Sequence, residues 1–431
     1  VAEGDNSLIM KKVTITNCKT KYNAAGIYFN KGKNLTLTDC TIENCKGKGT
    51  NSSGGIDIQA PKETVSIKNT KIKNCEVTGT QSTGGGIHLY KGTCTLTNVI
   101  IQECKAPKGG GMCVNAGTLT ITGGSFTKNE AIGTGTNIQG GAIYSEGGSL
   151  TLKGCMIGGN TSDEGNTAKK GGGIYLKNVT LTMEGVTVKN NKALTQGGGI
   201  YLANGELKIP GGNTIADNSI IDNGNSEAGG GIYVEKGMLT LDGGIISDNS
   251  ANANKGGGVY LKAGTFTMNS GEIKNCSAKY GGGVSLALEG AASNPVVISN
   301  CTAKETGGGM HIHTQNTVTV NNARIEGNSA NSGGGVYLEQ GTFTIAGSTH
   351  ITPSTETTAG QNDVFLEEGK FITIEGTLTE TGIVARITPE KYTVGAKLLE
   401  APSTECAKFT VTPKGGNAWS INNNDGTLKK P

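Results

Sequence analysis

Arginine is nearly missing from this sequence. Only Arg324 and Arg386 occur, and lysine supplies the remaining 36 of 38 basic residues. Bidentate capture of phosphate or carboxylate normally uses the guanidinium fork, so the scarcity argues against polyanion binding. A formal net charge of +3 over 431 residues gives no field that would gather nucleic acid. Aromatic residues make up 4% of the chain, with a single tryptophan, Trp419. No apolar run approaches the ~18–20 residues that a membrane-spanning helix needs, so no membrane span is expected. Helical spacing of apolar residues is absent throughout. No signal peptide is visible; the start at Val1-Ala2-Glu3-Gly4 is compatible with a processed end.

Motifs of common chemistries are missing too. Glycine runs precede strands rather than helices, which excludes P-loops and dinucleotide fingerprints, and no nucleophile elbow occurs. No Cys-x-x-Cys pair or Cys/His cluster has zinc spacing. The calcium-loading nonapeptide is absent. Asp222-Asn223-Gly224-Asn225-Ser226-Glu227 has the composition of a cation loop but not EF-hand spacing. No metal or cofactor is expected.

Glycine, in contrast, is abundant at 71 residues, without the Gly-X-Y period of collagen. Clear copies of a Gly-Gly-Gly-Ile-Tyr-Leu-like segment end their glycine runs at Gly86, Gly111, Gly173, Gly199, Gly231, Gly258, Gly283, Gly309 and Gly335. Weaker copies lie at Gly26, Gly55 and Gly141-Ala142, making twelve at spacings of 25 to 32 residues. Each copy continues into a Leu-Thr-Leu-Thr-like strand, a glycine pair or its equivalent, and a third short strand ending Ile-x-x-Asn. Leu119-Thr120-Ile121-Thr122-Gly123-Gly124-Ser125-Phe126 is typical: Leu119, Ile121 and Phe126 alternate onto one face and the threonines onto the other. Three short strands cannot bury a face alone, whereas stacked coils share one core. The expected fold is therefore all-β: a right-handed parallel β-helix of about a dozen coils, its hand following from the crossover preference. Residues 1–25 read as an N-terminal cap or partial coil and 26–375 as the helix. Residues 376–431, with Pro389, Pro402, Pro413 and Trp419 and little glycine, read as a small C-terminal β cap.

Two columns stand out. The fourth position of Ile-x-x-Asn holds Cys18, Cys45, Cys75, Cys104, Asn129, Asn160, Asn191, Asn218, Asn249, Cys276, Cys301 and Asn328. It reads as a structural ladder, in which asparagine tolerates a left-handed turn or bonds from coil to coil and cysteine replaces it as a small buried side chain. The middle residue of the first strand is expected to face outward. From Tyr144 through Tyr175, Tyr201, Tyr233 and Tyr260 five consecutive coils place tyrosine there. These rings either stack on one another or form an exposed binding strip for sugar rings or a protein partner. The eleven cysteines are an odd number, read chiefly as buried thiols, with coil-to-coil disulfides as the alternative.

Catalytic candidates are few. Glycosidases need two carboxylates ~5–9.5 Å apart, yet the first-strand column offers only Asp57, facing His88 on the next coil. This pair is read as a chance surface neighbour rather than an acid–base couple. Asp217, Asp222, Asp242 and Asp248 fall on turns and mixed faces.

The repeat resembles that of the polymorphic outer membrane proteins of chlamydiae. Gly140-Gly141-Ala142-Ile143 and Phe126-Thr127-Lys128-Asn129 match their two signatures outright. Most other copies are Gly-Gly-Gly followed by Ile or Val, and Ile-x-x-Asn or Ile-x-x-Cys, over roughly residues 10–350. The tail from Asn362 to Trp419 is similar to those of repeat-rich spirochaete surface proteins. The membrane barrel of the chlamydial family has no counterpart in this sequence. The resemblance implies a surface adhesin. The expectation is thus a non-catalytic bacterial cell-surface or secreted protein, an adhesin or binding scaffold whose partner is a host or neighbouring-cell glycan or protein. The alternatives are a structural subunit of an extracellular filament or surface layer, associating end to end, and a polysaccharide lyase or glycosidase.

Overall fold

A computed structural model describes residues 2–430 apart from 4, 5, 50–52, 80, 136, 223, 225, 226, 288–295 and 356. The chain forms two compact units, Val1–Ile221 and Asp222–Pro431. Each is a parallel β-solenoid, about 14 turns in all. Among the described residues the one α-helix is the single turn Ser403–Cys406, and no helix is long and apolar enough to cross a membrane.

In the first unit the apolar residue opening each first strand stacks in register: Ile27, Ile56, Ile87, Met112, Ile143, Ile174 and Ile200. Third strands stack Ile15, Ile42, Ile72, Ile101, Phe126, Ile157, Val188 and Ile215. From Ile42 onward these third-strand side chains are at most 1% exposed. Full burial of one such side chain stabilises by roughly 1.5–3 kcal/mol, repeated on every coil. The segment at 8–20 already pairs in parallel with the second, third and fourth strands of the next coil, so it is a partial coil. A fourth short ladder, unmarked in the sequence, follows the Asn/Cys column and runs Lys19, Lys46, Glu76, Lys105, Glu130, Thr167, Lys192 and Ser219. Two residues are too short for a period to show.

In the second unit the first-strand stack is Ile232, Val259, Val284, Met310, Val336, Val364, Ile387 and Val411. Parallel coiling therefore continues through Ala385–Pro389 and Phe409–Val411, inside the segment read as a separate cap from residue 376. These turns lack the glycine run on which coils were counted. Near the end of the described chain Ser420–Ile421 pairs antiparallel with Leu428–Lys429.

The glycine run has a steric cause. The first glycine turns left-handed (Gly171, φ 63). A Cβ on the second, Gly172, would lie 2.5 Å from the Gly198 carbonyl oxygen and 2.4 Å from that of Lys192, both on the next coil. A Cβ on the third, Gly173, would lie 2.7 Å from the Gly199 carbonyl oxygen and 3.1 Å from the Asn191 amide. Ala142 occupies the equivalent place in its coil, fully buried.

Candidate functional site

The Asn/Cys column is internal. Asn129 donates from Nδ2 to the Ile101 carbonyl at 2.9 Å, and its own N–H donates to Asn166 Oδ1 at 2.9 Å. Asn166 repeats this on Asn191, and Asn191 on Asn218. Buried carbonyls and amides that strand pairing leaves over are thereby satisfied. In the cysteine coils the thiol takes over the donor role: Cys75 Sγ points at the Ile42 carbonyl at 3.7 Å and Cys104 Sγ at that of Ile72 at 3.8 Å. In the second unit Cys276, Cys301 and Asn328 continue the column, and Asn249 is buried beside Cys276. Three assignments need correcting. Asn160 is exposed; an insertion after Ile157 moves its place to Asn166. Asn362, unrecognised in the sequence, accepts from Asn328 N–H at 3.1 Å and extends the ladder. The left-handed residue is the one before the column, such as Asn74 (φ 50) or Asn190 (φ 60), because the column residue must aim inward.

All eleven cysteines are free thiols. Burial pushes Cys94, Cys113 and Cys155 up to about 12, so they stay protonated and inert.

The tyrosine row is not an exposed strip. Tyr144 is 2% exposed, Tyr175 6%, and Tyr201, Tyr233 and Tyr260 0%. The residue preceding each glycine run lies over the rings. Thr83, Lys108, Gln139 and Lys170 bridge coil to coil there; Lys108 Nζ sits 4.9 Å from the Tyr144 ring centre and Lys170 Nζ 5.0 Å from that of Tyr201. The rings stack at 5.2 Å (Tyr144–Tyr175), 4.8 Å (Tyr175–Tyr201) and 5.4 Å (Tyr233–Tyr260). Burial raises the hydroxyls of Tyr144, Tyr233 and Tyr260 well above the phenol range. The strand pattern gave the side of the sheet but not the returning chain that roofs it.

Where the same column lacks tyrosine, the structure is different. Asp57 and His88, read as a chance surface pair, are 1% and 8% exposed and bonded. His88 Nδ1 lies 3.0 Å from Asp57 Oδ1, and His88 Nε2 lies 3.1 Å from Asn115 Oδ1. Gln59 Nε2 also donates to Asp57 Oδ1, at 2.6 Å. Asp57 Oδ2 is buried without a hydrogen-bond partner. Beside this row opens a cavity of about 300 Å³ lined by four amides (Asn23, Gln59, Gln81, Asn115), Thr83, His88 and two tyrosines, Tyr28 and Tyr90. Tyr90 is 48% exposed and meets the imidazole edge-on at 6.4 Å. Amides both donate and accept, and an exposed tyrosine offers an apolar face. That combination suits a polyhydroxylated ring.

A second polar interruption lies in the other unit. His311 Nε2 is 2.8 Å from Glu339 Oε2, and His313 Nε2 is 3.2 Å from Ser285 Oγ. Burial first, then the neighbouring His311, depresses His313 to about 4, so it is neutral and accepts the Ser285 hydroxyl proton in a hydrogen bond. A serine–histidine pair normally suggests a nucleophile and its base. Here Ser285 is fully buried and the carboxylate holds the other imidazole. The arrangement is a polar plug in the aromatic column. Of the acids on turns, Asp217 is paired with Lys189 at 3.3 Å and Asp248 accepts from Asn275 at 3.1 Å. Gly224 N–H closes an Asx turn on Asp222 at 2.9 Å; Asn223, Asn225 and Ser226 of the cation-loop reading lie outside the described residues.

The sequence matches the family described as right handed beta helix region over residues 3–109, 64–241 and 229–377. No curated protein matches it.

Proposed function

The chain belongs to the right-handed β-helix family, and from that premise we propose that it is a non-catalytic binding scaffold of a bacterial surface or secretion, holding a neutral glycan at the His88 cavity. The observation that carries this reading is a cavity of about 300 Å³ walled by four amides and His88, with the exposed Tyr90 beside them. His88, held between Asp57 and Asn115, keeps the carboxylate in place rather than acting on a substrate. Among the described residues the cavity is lined by amides, hydroxyls and an imidazole, with no carboxylate, whereas glycosidic cleavage uses two.

Binding of the full chain to a neutral glycan panel, followed by titration calorimetry on each hit, tests the proposal. Gln59→Ala and Tyr90→Ala are expected to weaken binding at least tenfold, and Tyr175→Ala in the roofed row to leave it unchanged. Release of reducing ends from bound glycans would establish an enzyme instead. Equal binding by all three variants would remove the site.

A further inference from the structure

Surface charge in the first unit is arranged coil against coil with alternating sign. Lys46 meets Glu76 at 3.0 Å, Lys105 meets Glu130 at 2.6 Å, Lys153 meets Glu184 at 2.7 Å, and Glu146 meets Lys177. One place breaks the rule. Lys19 pairs in register with Lys46, and Lys48 donates its N–H to the Thr20 carbonyl, which brings Lys48 beside Lys21. Two lysine pairs therefore stack on adjacent coils, and like charges set opposite each other destabilise a sheet unless neutralised; Glu76 on the following coil does this for Lys46 alone. Lys19, Lys21 and Lys48 are exposed, and none has an acidic partner among the described residues.

These lysines, with Lys46 and its partner Glu76, line a groove of about 670 Å³ together with Thr20, Gly47 and Thr78. Tyr22, 77% exposed, stands next to Lys21. The wider charge agrees. Residues 1–221 hold 23 basic and 15 acidic residues, and residues 222–431 hold 15 and 20. The near-neutral total thus conceals a basic first unit.

We infer that this groove binds an acidic polysaccharide, the ammonium groups taking its carboxylates or sulfates and Tyr22 taking a sugar face. The lysine positions lie on two successive coils ~4.8 Å apart, a spacing that matches neighbouring charges of a polymer carrying one charge per sugar; the following coil places Glu76 opposite Lys46. Lysine suits such a ligand because it acts as a point charge without needing bidentate geometry. Among the described residues lining the groove there is no aromatic platform for successive bases, which a single-stranded nucleic acid would use.

The test uses the full chain with defined oligo-uronate and dextran sulfate fragments, neutral dextran, and single-stranded oligo-dT. The triple variant Lys19→Gln, Lys21→Gln, Lys48→Gln is compared with the charge-matched control Lys153→Gln, Lys189→Gln, Lys274→Gln. Acidic fragments should bind the wild type and the control within twofold of each other and the groove variant at least tenfold more weakly. The slope of log Kd against log salt should fall by about 2 in the groove variant, from the counterion release lost with three charges. Thermal melts of both variants exclude misfolding as the cause. The inference is overturned if the two variants bind alike, if neutral dextran competes, or if oligo-dT binds more tightly than the acidic glycans. Neutral-glycan binding at His88 is scored separately, so either site can fail alone.

Discussion

At the scale of single residues, side chains aimed inward decide stability. Asn191 accepts from both nitrogens of Asn166 and donates to Ile157 and Asn218. Replacing it with alanine strands several buried partners, costing about 2–4 kcal/mol, while exposed Asn160→Ala stays within ~0.5 kcal/mol. Thermal melts of the two variants separate these outcomes; equal effects would contradict the reassignment from Asn160 to Asn166. The column was legible in the sequence as a repeated residue type. Its exact member was not, because an insertion shifts the chain without shifting the local motif. His313 gives a pH dependence of definite sign. Its folded value near 4 lies below the ordinary 6.5, so the unfolded chain takes up the proton first as pH falls. Stability is therefore complete above about 6.5 and is lost as pH drops toward 4, by about 2 kcal/mol at pH 5. The groups facing this imidazole, His311, Lys255, Glu339 and Glu227, do not reverse that direction. Between pH 7.5 and 5 the wild type should lose ~4–8 °C of Tm more than His313→Asn; parallel pH profiles would count against it.

At the scale of elements, glycine and tyrosine have packing roles that composition alone leaves ambiguous. Gly172→Ala places a methyl against two backbone carbonyl oxygens that cannot move independently. We expect a cost above ~3 kcal/mol, in the range of strained core substitutions. Gly154 turns left-handed in open space (φ 55), so its alanine variant should cost only ~1 kcal/mol. Denaturant midpoints distinguish them. The Tyr201 ring is fully buried between neighbouring coils, and Tyr201→Ala should cost ~3–5 kcal/mol. A melting temperature unchanged by that substitution would restore the exposed strip. Period-two alternation showed that tyrosine and isoleucine lie on opposite faces of the strand. It could not show that the pre-glycine segment folds back over the tyrosine face, since that contact is made between coils and involves Lys108 and Lys170, residues of no distinctive pattern.

At the scale of the molecule, the repeat made the architecture readable because each coil contacts only its neighbours. Glycine runs counted the coils well in the middle and missed those after Val364, where Ala385–Pro389 and Phe409–Val411 keep the strand pairing without the run. Local coupling also predicts how damage spreads. In Asn191→Ala, amide exchange should rise across residues 129–218 and stay at wild-type protection over 296–346; uniform loss of protection would contradict nearest-neighbour coupling. The candidate site was half legible: Asp57 and His88 stood out as neighbours, while Gln59, Gln81 and Asn115 carried no signal. The most direct test of the central claim uses the four histidines as built-in probes. In a histidine-selective nitrogen-15 spectrum, titration with a bound neutral glycan should shift the His88 ring resonances and leave those of His311, His313 and His350 in place. A glycan that binds the protein without moving His88 would contradict the account.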